Sequence, residues 1–322
     1  MKALITGGSG FIGAQLARLL AKAGHRAALL DLAPPPPDLA KDPQTHPFVR
    51  ASVTNFPLMI DTLRSLQVDT VFHLGGMLSM PCERDPWSAF EVNVSGTYHV
   101  LEAARLAGVG RFILSSSIAV YGEDLPPAPI NDDSLQRPSS MYGTSKVFGE
   151  LMGRFYARRF GLDFRGLRIP SVVGPGSKVP HMSIYNCWAI ERPLLGEPYD
   201  ILVEPATRCP TIYYKDAARA LMEMAMAPVQ RIKTKVYNIN GFNPAYSADE
   251  LVEAVRGLVP EARLGFTPDP EITTLIQAIG SRPLDDGHAR QEWGWRPGYD
   301  LPGMIEDFKR ELARLGQANG TA

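Results

Sequence analysis

Tyr142 and Lys146 open the stretch Tyr142-Gly143-Thr144-Ser145-Lys146, whose continuation to Phe160 has helical spacing. One helical turn separates the two side chains and puts them on one face. A tyrosine acts as acid or base only if its pKa falls from about 10 towards neutrality. A lysine charge roughly 4 Å away, at an effective dielectric of about 20, is worth about 4 kcal/mol, or near three pKa units. That is the size of shift required, and the same ammonium can hydrogen-bond a ribose. On its own, a tyrosine four residues before a lysine is a common helical coincidence. The pair gains meaning beside Ser115-Ser116-Ser117, at the end of the predicted strand Arg111-Phe112-Ile113-Leu114. A serine there would donate a hydrogen bond to a substrate oxygen, polarising it as a hydride leaves or arrives.

A hydride needs a carrier, and the start of the chain has the pattern of a site for one. Ala3-Leu4-Ile5-Thr6 reads as a short buried strand, Gly7-Gly8-Ser9-Gly10-Phe11-Ile12-Gly13 as a glycine turn, and Phe11 to Ala23 as a helix. Gly24-His25 ends that helix, Arg26 to Leu30 is a second apolar strand, and Asp31 stands at its end. In this βαβ order Gly7 permits the tight turn, Gly10 lets a pyrophosphate approach the backbone, and Gly13 lets helix and strand pack closely. The diphosphate would face free N–H groups at the positive end of the helix, with Phe11 and Ile12 in the same turn. A carboxylate at Asp31 accepts hydrogen bonds from both ribose hydroxyls and repels a 2′-phosphate, and Leu32-Ala33 bring no basic residue there. NAD, rather than NADP, is the expected cofactor.

Strands must present both groups of residues. After Asp31, Pro34-Pro35-Pro36-Pro37 reads as a stiff, extended surface loop, neither helix nor central strand. Phe48-Val49-Arg50-Ala51 is a short strand ending at Ser52-Val53, and Leu58 to Leu66 a helix. Thr70 to Leu74 is a buried strand followed directly by Gly75-Gly76, where backbone can again approach a ligand. Trp87 to Leu106 is a long helix containing Asn93, Gly96 and Thr97, and Asp163 to Arg168 a further strand. Alternation of this kind implies an α/β fold, a Rossmann doubly wound parallel sheet with ligands beyond the carboxyl ends of its strands. The glycine and serine clusters all fall at those ends.

Beyond Pro170 prolines and glycines punctuate the chain as far as Pro210. A helix follows from about Asp216 to Met226, then a strand over Lys235 to Ile239, an amphipathic helix over Ala248 to Val259, an irregular stretch, and a last helix over Pro302 to Leu315. The expected organisation is an NAD-binding Rossmann domain over 1–170 and a smaller, interleaved C-terminal substrate-binding region over 171–322, of which about 212–241 packs back on the sheet. Gln317 to Ala322 is expected to fray.

Of the 322 residues, 45% are hydrophobic and 21% charged, the proportions of an ordinary soluble globular protein. The net charge of −1 has no basic or acidic block behind it, so neither nucleic acid nor an anionic membrane is an expected partner. No apolar run is long enough to span a bilayer, and with a strand predicted from residue 2 no signal peptide is expected. Cys82, Cys187 and Cys209 are odd in number and lack metal-ligand spacing, which points to reduced thiols and a cytoplasmic location. His73 reads as a hydrogen-bonded core residue, and Met222, Met224 and Met226 as helix core and edge. No metal site is expected.

Gly7, Gly10 and Gly13, Asp31, His73-Leu74, Asn93 with Thr97, Ser115 to Tyr121-Gly122, and the Tyr142/Lys146 pair together make the chain resemble the extended short-chain dehydrogenases/reductases, the NAD-dependent epimerase/dehydratase family. The resemblance runs essentially from end to end. It implies Ser117 as the catalytic serine, by its place before Val120-Tyr121-Gly122, working with Tyr142 and Lys146. It adds Leu74, Gly75, Gly76, Asn93, Ser115 and Ile169 to the glycine turn and Asp31 around the NAD, along with Tyr142 and Lys146 themselves. Ser52-Val53 stands where the family has an acid and an aliphatic residue reaching the adenine.

Met224 to Val229, Tyr237-Asn238-Ile239, and Leu284-Asp285-Asp286 through Trp293-Gly294-Trp295 resemble the short-chain-type L-threonine dehydrogenase subgroup more than typical epimerases. So do Leu78-Ser79 and Ser117-Ile118-Ala119-Val120, which puts the subgroup's substrate-side serine on Ser79. Two places depart from the subgroup: Gly280-Ser281-Arg282-Pro283 lacks its tryptophan, and Ile169-Pro170-Ser171 replaces its Tyr-Pro-Gly. Substrate contacts are expected from Ser79, Ser117, Tyr142, Ser171, His181, Arg208 and Arg282, with Tyr185 and Trp188 in the same variable region. The implied activity is NAD-dependent oxidation of a secondary alcohol in a small polar substrate, an L-threonine-like hydroxy acid or a sugar. An NAD-retaining nucleotide-sugar epimerase or dehydratase is the alternative, since it shares the catalytic residues; a non-catalytic NAD-binding protein is disfavoured by the intact trio. The family also implies a homodimer through the helices Trp87–Leu106 and Tyr142–Phe160, with Ala89, Phe90, Val94, Val147, Leu151 and Phe155 as apolar surface.

Overall fold

The computed structural model describes residues 1–177 and 181–319. In its first half β1 (Lys2–Thr6), α1 (Phe11–Lys22), β2 (Arg26–Asp31), the single turn α2 (Pro37–Ala40), β3 (Phe48–Arg50), α3 (Phe56–Ser65) and β4 (Thr70–His73) follow one another. Then come α4 (Ser79–Arg84), α5 (Pro86–Ala89), α6 (Gly96–Leu106), β5 (Arg111–Ser117), α7 (Met141–Phe160) and β6 (Asp163–Ile169). The second half adds β7 (Ser171–Val173), α8 (Tyr185–Leu194), β8 (Tyr199–Ile201), β9 (Thr211–Tyr213), α9 (Tyr214–Met226) and β10 (Val236–Asn238). It ends with α10 (Ala248–Leu258), β11 (Leu264–Phe266), α11 (Pro270–Gly280), α12 (Gly287–Trp293) and α13 (Leu301–Asn319).

Seven strands form one sheet in the order β10-β6-β5-β4-β1-β2-β3, every neighbouring pair parallel. Helices cover both faces, so the central strands bury nearly every side chain and read in sequence as unbroken apolar runs such as Ala3-Leu4-Ile5 and Phe112-Ile113-Leu114. The strand order reverses between β1 and β4, and the crevice beyond their carboxyl ends is where such sheets take ligands. Gly7 leaves β1 there with φ +68, and a Cβ on it would lie 2.8 Å from the backbone nitrogen of Gly75, which leaves β4. Only glycine fits that turn.

Helix α7 has to lie close to the sheet to present its first turns to the end of β5. Ser140 caps it, its hydroxyl accepting from the Gly143 N–H at 3.0 Å. Its buried face combines the small residues Gly143, Ser145, Gly149 and Gly153 with Glu150 and Tyr156. A Cβ at Gly153 would overlap the Phe164 ring of β6, so the helix is seated as near as its backbone allows.

A second apolar core gathers α8, α10 and α13 around Tyr185, Cys187, Tyr213, Leu251 and Phe308. β10 joins the main sheet beside β6, and α9 lies along α1, with Ala217 and Leu221 in one core with Leu16 and Leu20.

Four local expectations change. The long helix over Trp87–Leu106 is interrupted: a π-helical stretch, Phe90–Ser95, separates α5 from α6. Pro37 begins a helical turn instead of extending the proline run, because its fixed φ suits the first helical position. The irregular stretch after Val259 contains β11, α11 and α12; α11 is rich in β-branched residues of modest helix propensity, and its Asp269 cap and Pro270 start set it. Helix α13 continues through 317–319, where fraying was expected, since no proline stops it; residues 320–322 lie outside the described residues.

Candidate active site

Ser117 ends β5 in extended conformation, and its Oγ accepts from the Ala119 N–H at 3.1 Å, capping the short turn Ile118–Val120. Tyr142 is the second residue of α7 and Lys146 lies one turn on. The Lys146 Nζ donates to the Ser115 carbonyl at 2.8 Å and sits 5.4 Å from the centroid of the Tyr142 ring. Ser115 thus serves this arrangement through its backbone, anchoring the lysine that faces the tyrosine. Glu83, at the end of α4, accepts from the Met141 N–H at 2.8 Å and ties the start of α7 to the helix that begins at Ser79.

Both side chains keep some solvent contact but are walled in by protein, and burial is the leading influence on each. It pushes the Tyr142 phenol up to about 12, against the nearby Ser117 hydroxyl, which lowers it. It brings the Lys146 ammonium down to about 8, against Cys82 and Glu150, which raise it. The sequence argument had the lysine charge bringing the phenol towards neutrality. In the structure burial dominates the phenol, and the neighbour that lowers it is the Ser117 hydroxyl.

A second group of residues closes around the crevice. Gly10 donates its N–H to the Gly7 carbonyl at 3.1 Å, and a Cβ at Gly13 would run into that same carbonyl. Phe11 stacks on Tyr214 of α9 with centroids 4.5 Å apart, while Ile12 is half-buried against the core. The Asp31 carboxylate accepts from the Ser9 N–H and the Ala33 N–H, each at 3.1 Å, and each oxygen keeps a lone pair for a ribose hydroxyl. Leu74 continues the β4–β1 ladder by donating to the Thr6 carbonyl at 3.1 Å. Val53 is buried against Gly75 and Gly96, and the Ser52 hydroxyl is engaged with Thr54 at 2.8 Å. Ile169 ends β6 as the register partner of Ser117. Backbone stripped of side chains on both sides of the crevice, with a carboxylate at one end and the Tyr142/Lys146 pair at the other, fits a dinucleotide.

Asn93 sits on the π-helical stretch and holds the loop after β4. Its Oδ1 accepts from the Met77 N–H at 2.7 Å, and its Nδ2 donates to the Met77 carbonyl at 3.0 Å and to Ser145 of α7 at 3.3 Å. A Cβ at Gly76 would stand 2.9 Å from its Oδ1. Asn93 therefore couples the loop after β4 to α7.

Beneath it runs a directed chain of bonds that sequence reading missed. The Gly75 N–H donates to the Thr6 hydroxyl at 3.1 Å, Thr6 pairs with His73 Nδ1 at 2.8 Å, and His73 Nε2 pairs with Thr97, which donates to the Asn93 carbonyl at 2.6 Å. Since Thr97 spends its proton on Asn93, Nε2 carries the hydrogen and Nδ1 accepts, so His73 is neutral. Burial, with the Lys146 charge adding, lowers its pKa to about 3. Also missed was Glu150, one turn beyond Lys146 and buried, where it accepts from Ser116 at 2.5 Å and pairs with buried Arg168 at 2.8 Å. Its place four residues after Lys146 was the available signal.

On the substrate side the Ser171 hydroxyl, just past Ile169, meets the Ser183 hydroxyl at 2.7 Å, and His181 Nδ1 pairs with Ser183 at 3.1 Å. Burial lowers the His181 pKa. Tyr185 is almost wholly enclosed in the second core, and Trp188 donates to the Ser177 carbonyl at 3.3 Å. The two arginines are committed elsewhere. Arg208 forms a largely exposed pair with Glu250 at 3.0 Å, and Arg282 donates to the carbonyls of Leu125, Pro126 and Ala278. Among the described residues no group of three His, Cys, Asp or Glu side chains could hold a metal ion, and no helix is long and apolar enough to cross a membrane.

Comparison with known proteins gives the family and the fold. A family model described as the NAD dependent epimerase/dehydratase family matches residues 3–240. The mitochondrial L-threonine 3-dehydrogenase of Bos taurus is 32% identical over 327 residues, covering 99% of this chain and 85% of that protein. The holo form of a threonine dehydrogenase from Cupriavidus necator superposes with a TM-score of 0.86 at 28% identity, covering 98% of this chain and 100% of that one. A UDP-glucose 4-epimerase of Thermotoga maritima has a TM-score of 0.84 at 24% identity, covering 98% of this chain and 100% of that one, and shares the fold.

Proposed function

Since the chain belongs to the NAD-dependent epimerase/dehydratase family, we propose that it is a dehydrogenase oxidising a secondary alcohol of a small polar substrate, an L-threonine-like hydroxy acid or a sugar, at Ser117, Tyr142 and Lys146. NAD is the cofactor. The observation that carries the reading is the junction at the end of β5, where the Ser115 carbonyl fixes Lys146 beneath the Tyr142 ring and Ser117 stands beside the phenol. Residues 1–170 would bind the cofactor and 171–322 cover the substrate.

In this reading Tyr142 takes the substrate's hydroxyl proton at its phenolic oxygen. Ser117 donates to the same substrate oxygen and holds it as the carbonyl forms. Lys146 supplies positive charge to the phenolate and a hydrogen bond to the nicotinamide ribose. Bound NAD supplies the hydride acceptor and the positive charge of an oxidised ring. Holding alcohol, base and donor together converts the transfer into a local event. Ser79, Ser171 and His181 would form the substrate wall. Arg208 and Arg282, the residues best suited to clamp the diphosphate of a sugar nucleotide, are spent on Glu250 and on backbone carbonyls, which favours a small substrate over the epimerase alternative.

We also place the protein in the cytoplasm as a homodimer. The three cysteines are free and buried, as in a reducing compartment. Ala89 is buried within the chain, but Trp87, Phe90, Leu151 and Phe155 on the two long helices remain exposed by 76%, 48%, 57% and 42%. Apolar exposure at these four positions supports an interaction surface there.

The function is tested by offering purified protein NAD with L-threonine, hydroxy acids, sugars and sugar nucleotides. Sustained NADH from one small alcohol supports the reading; epimer formed without NADH would replace it with the alternative.

A further inference from the structure

The sequence around Asp31 brings no basic residue, but the fold does. β2 and β3 pair in parallel with Asp31 opposite Arg50, and strands so paired lie about 4.8 Å apart. The exposed Arg50 side chain turns across the end of β2, where its Nε donates to the Leu32 carbonyl at 3.1 Å. Its guanidinium is thereby fixed at the position just after Asp31. Its two terminal nitrogens have no hydrogen-bond or ion-pair partner among the described residues, and it does not pair with Asp31. On the other side of the corner the Ser9 hydroxyl donates to the Ala33 carbonyl at 2.8 Å, and the Ser9 and Ala33 N–H groups hold the carboxylate. A carboxylate and an oriented arginine fork therefore flank one spot at the adenosine end of the crevice, two residues before Ser52.

We propose that Arg50 is a latent 2′-phosphate site, so that cofactor choice is set by Asp31 acting against Arg50 and not by Asp31 alone. The inference rests on reading Gly7 to Asp31 as the cofactor site. NAD presents two neutral ribose hydroxyls there, which the carboxylate accepts. NADP presents a 2′-phosphate of about −1.5 to −2 charge at pH 7, which the carboxylate repels and a guanidinium binds in bidentate fashion. With Asp31 ionised the repulsion dominates. With its charge removed, the prepositioned arginine selects the phosphate.

The test is fluorescence titration of NADH and of NADPH into wild type, Asp31→Asn, Arg50→Ala, Arg50→Lys and the Asp31→Asn/Arg50→Ala double variant, each first checked for unchanged thermal melting. Wild type should prefer NADH, and Asp31→Asn should move the NADPH-to-NADH affinity ratio towards NADPH by at least about tenfold. Adding Arg50→Ala should remove about tenfold of the NADPH affinity gained, with a smaller effect on NADH, while Arg50→Lys should keep part of it. NADPH binding by Asp31→Asn should also weaken with salt more steeply than its NADH binding, because the contact is exposed. Equal loss of both cofactors with Arg50→Ala, or undiminished NADPH binding by the double variant, would overturn the role of Arg50 while leaving the NAD site intact. Wild type binding neither cofactor would overturn the cofactor site itself and this inference with it.

Discussion

Burial opposes ionisation of Tyr142, and a phenol held up to about 12 would need help to act as the proposed base near neutrality. The charges that would supply it are Lys146, 5.4 Å from the ring centroid, and the oxidised nicotinamide of bound cofactor. Alcohol oxidation should accordingly rise with pH, about tenfold in kcat/KM per unit on the acidic limb. Lys146→Met, which removes a cation beside the phenolate, should move that limb to higher pH. Tyr142→Phe should lower kcat by roughly 10²- to 10⁴-fold at every pH, since no proton acceptor remains; a pH-rate profile of the three proteins checks both. At this scale the meeting of Tyr142, Lys146 and the end of β5 was legible because Tyr142 and Lys146 share one turn and the serines end one strand. The bonds that hold them were not. Thr6 and His73 are 67 residues apart, and Ser116 and Glu150 are 34 apart, so only the folded sheet brings them together.

The elements make the site by fitting tightly, α7 above all. Its glycines let it lie on β5 and β6, and the place where Tyr142 and Lys146 arrive depends on that seating. Gly153→Ala should therefore do more than raise helix propensity: its Cβ would overlap the Phe164 ring, and a net loss of about 1–3 kcal/mol is expected from overpacking. Denaturant unfolding measures it, and a stabilised variant would contradict this account of the helix. The glycines of this helix were not legible in the sequence as packing positions, because only the fold supplies the Phe164 ring that Gly153 must clear. The strands of the first half were readable because parallel strands buried on both faces are apolar throughout. The π-helical stretch that carries Asn93 left no trace in the periodicity of Trp87 to Leu106, since one wider turn shifts the register without changing composition. In the second half three-residue strands such as β8 and β11 were invisible, being too short for any alternation to register.

For the whole molecule, the parallel sheet puts the carboxyl ends of β1, β4 and β5 on one edge, which is how two motifs distant in sequence could share the proposed site. Trp87 and Phe90, before α6, and Leu151 and Phe155, on α7, are exposed apolar side chains that need another explanation. A homodimer supplies one. Light scattering should give twice the 35.3 kDa chain mass, and Leu151→Glu with Phe155→Glu should return it to the single-chain value. A wild-type monomer at micromolar concentration would contradict the dimer without touching the chemistry. That chemistry, net oxidation of a small alcohol by NAD, is tested most directly by stoichiometry: NADH formed against substrate consumed, in one reaction with L-threonine and the related alcohols. The account predicts one NADH for each substrate molecule lost, and none from Tyr142→Phe. Substrate converted to an isomer with no NADH accumulating would contradict it.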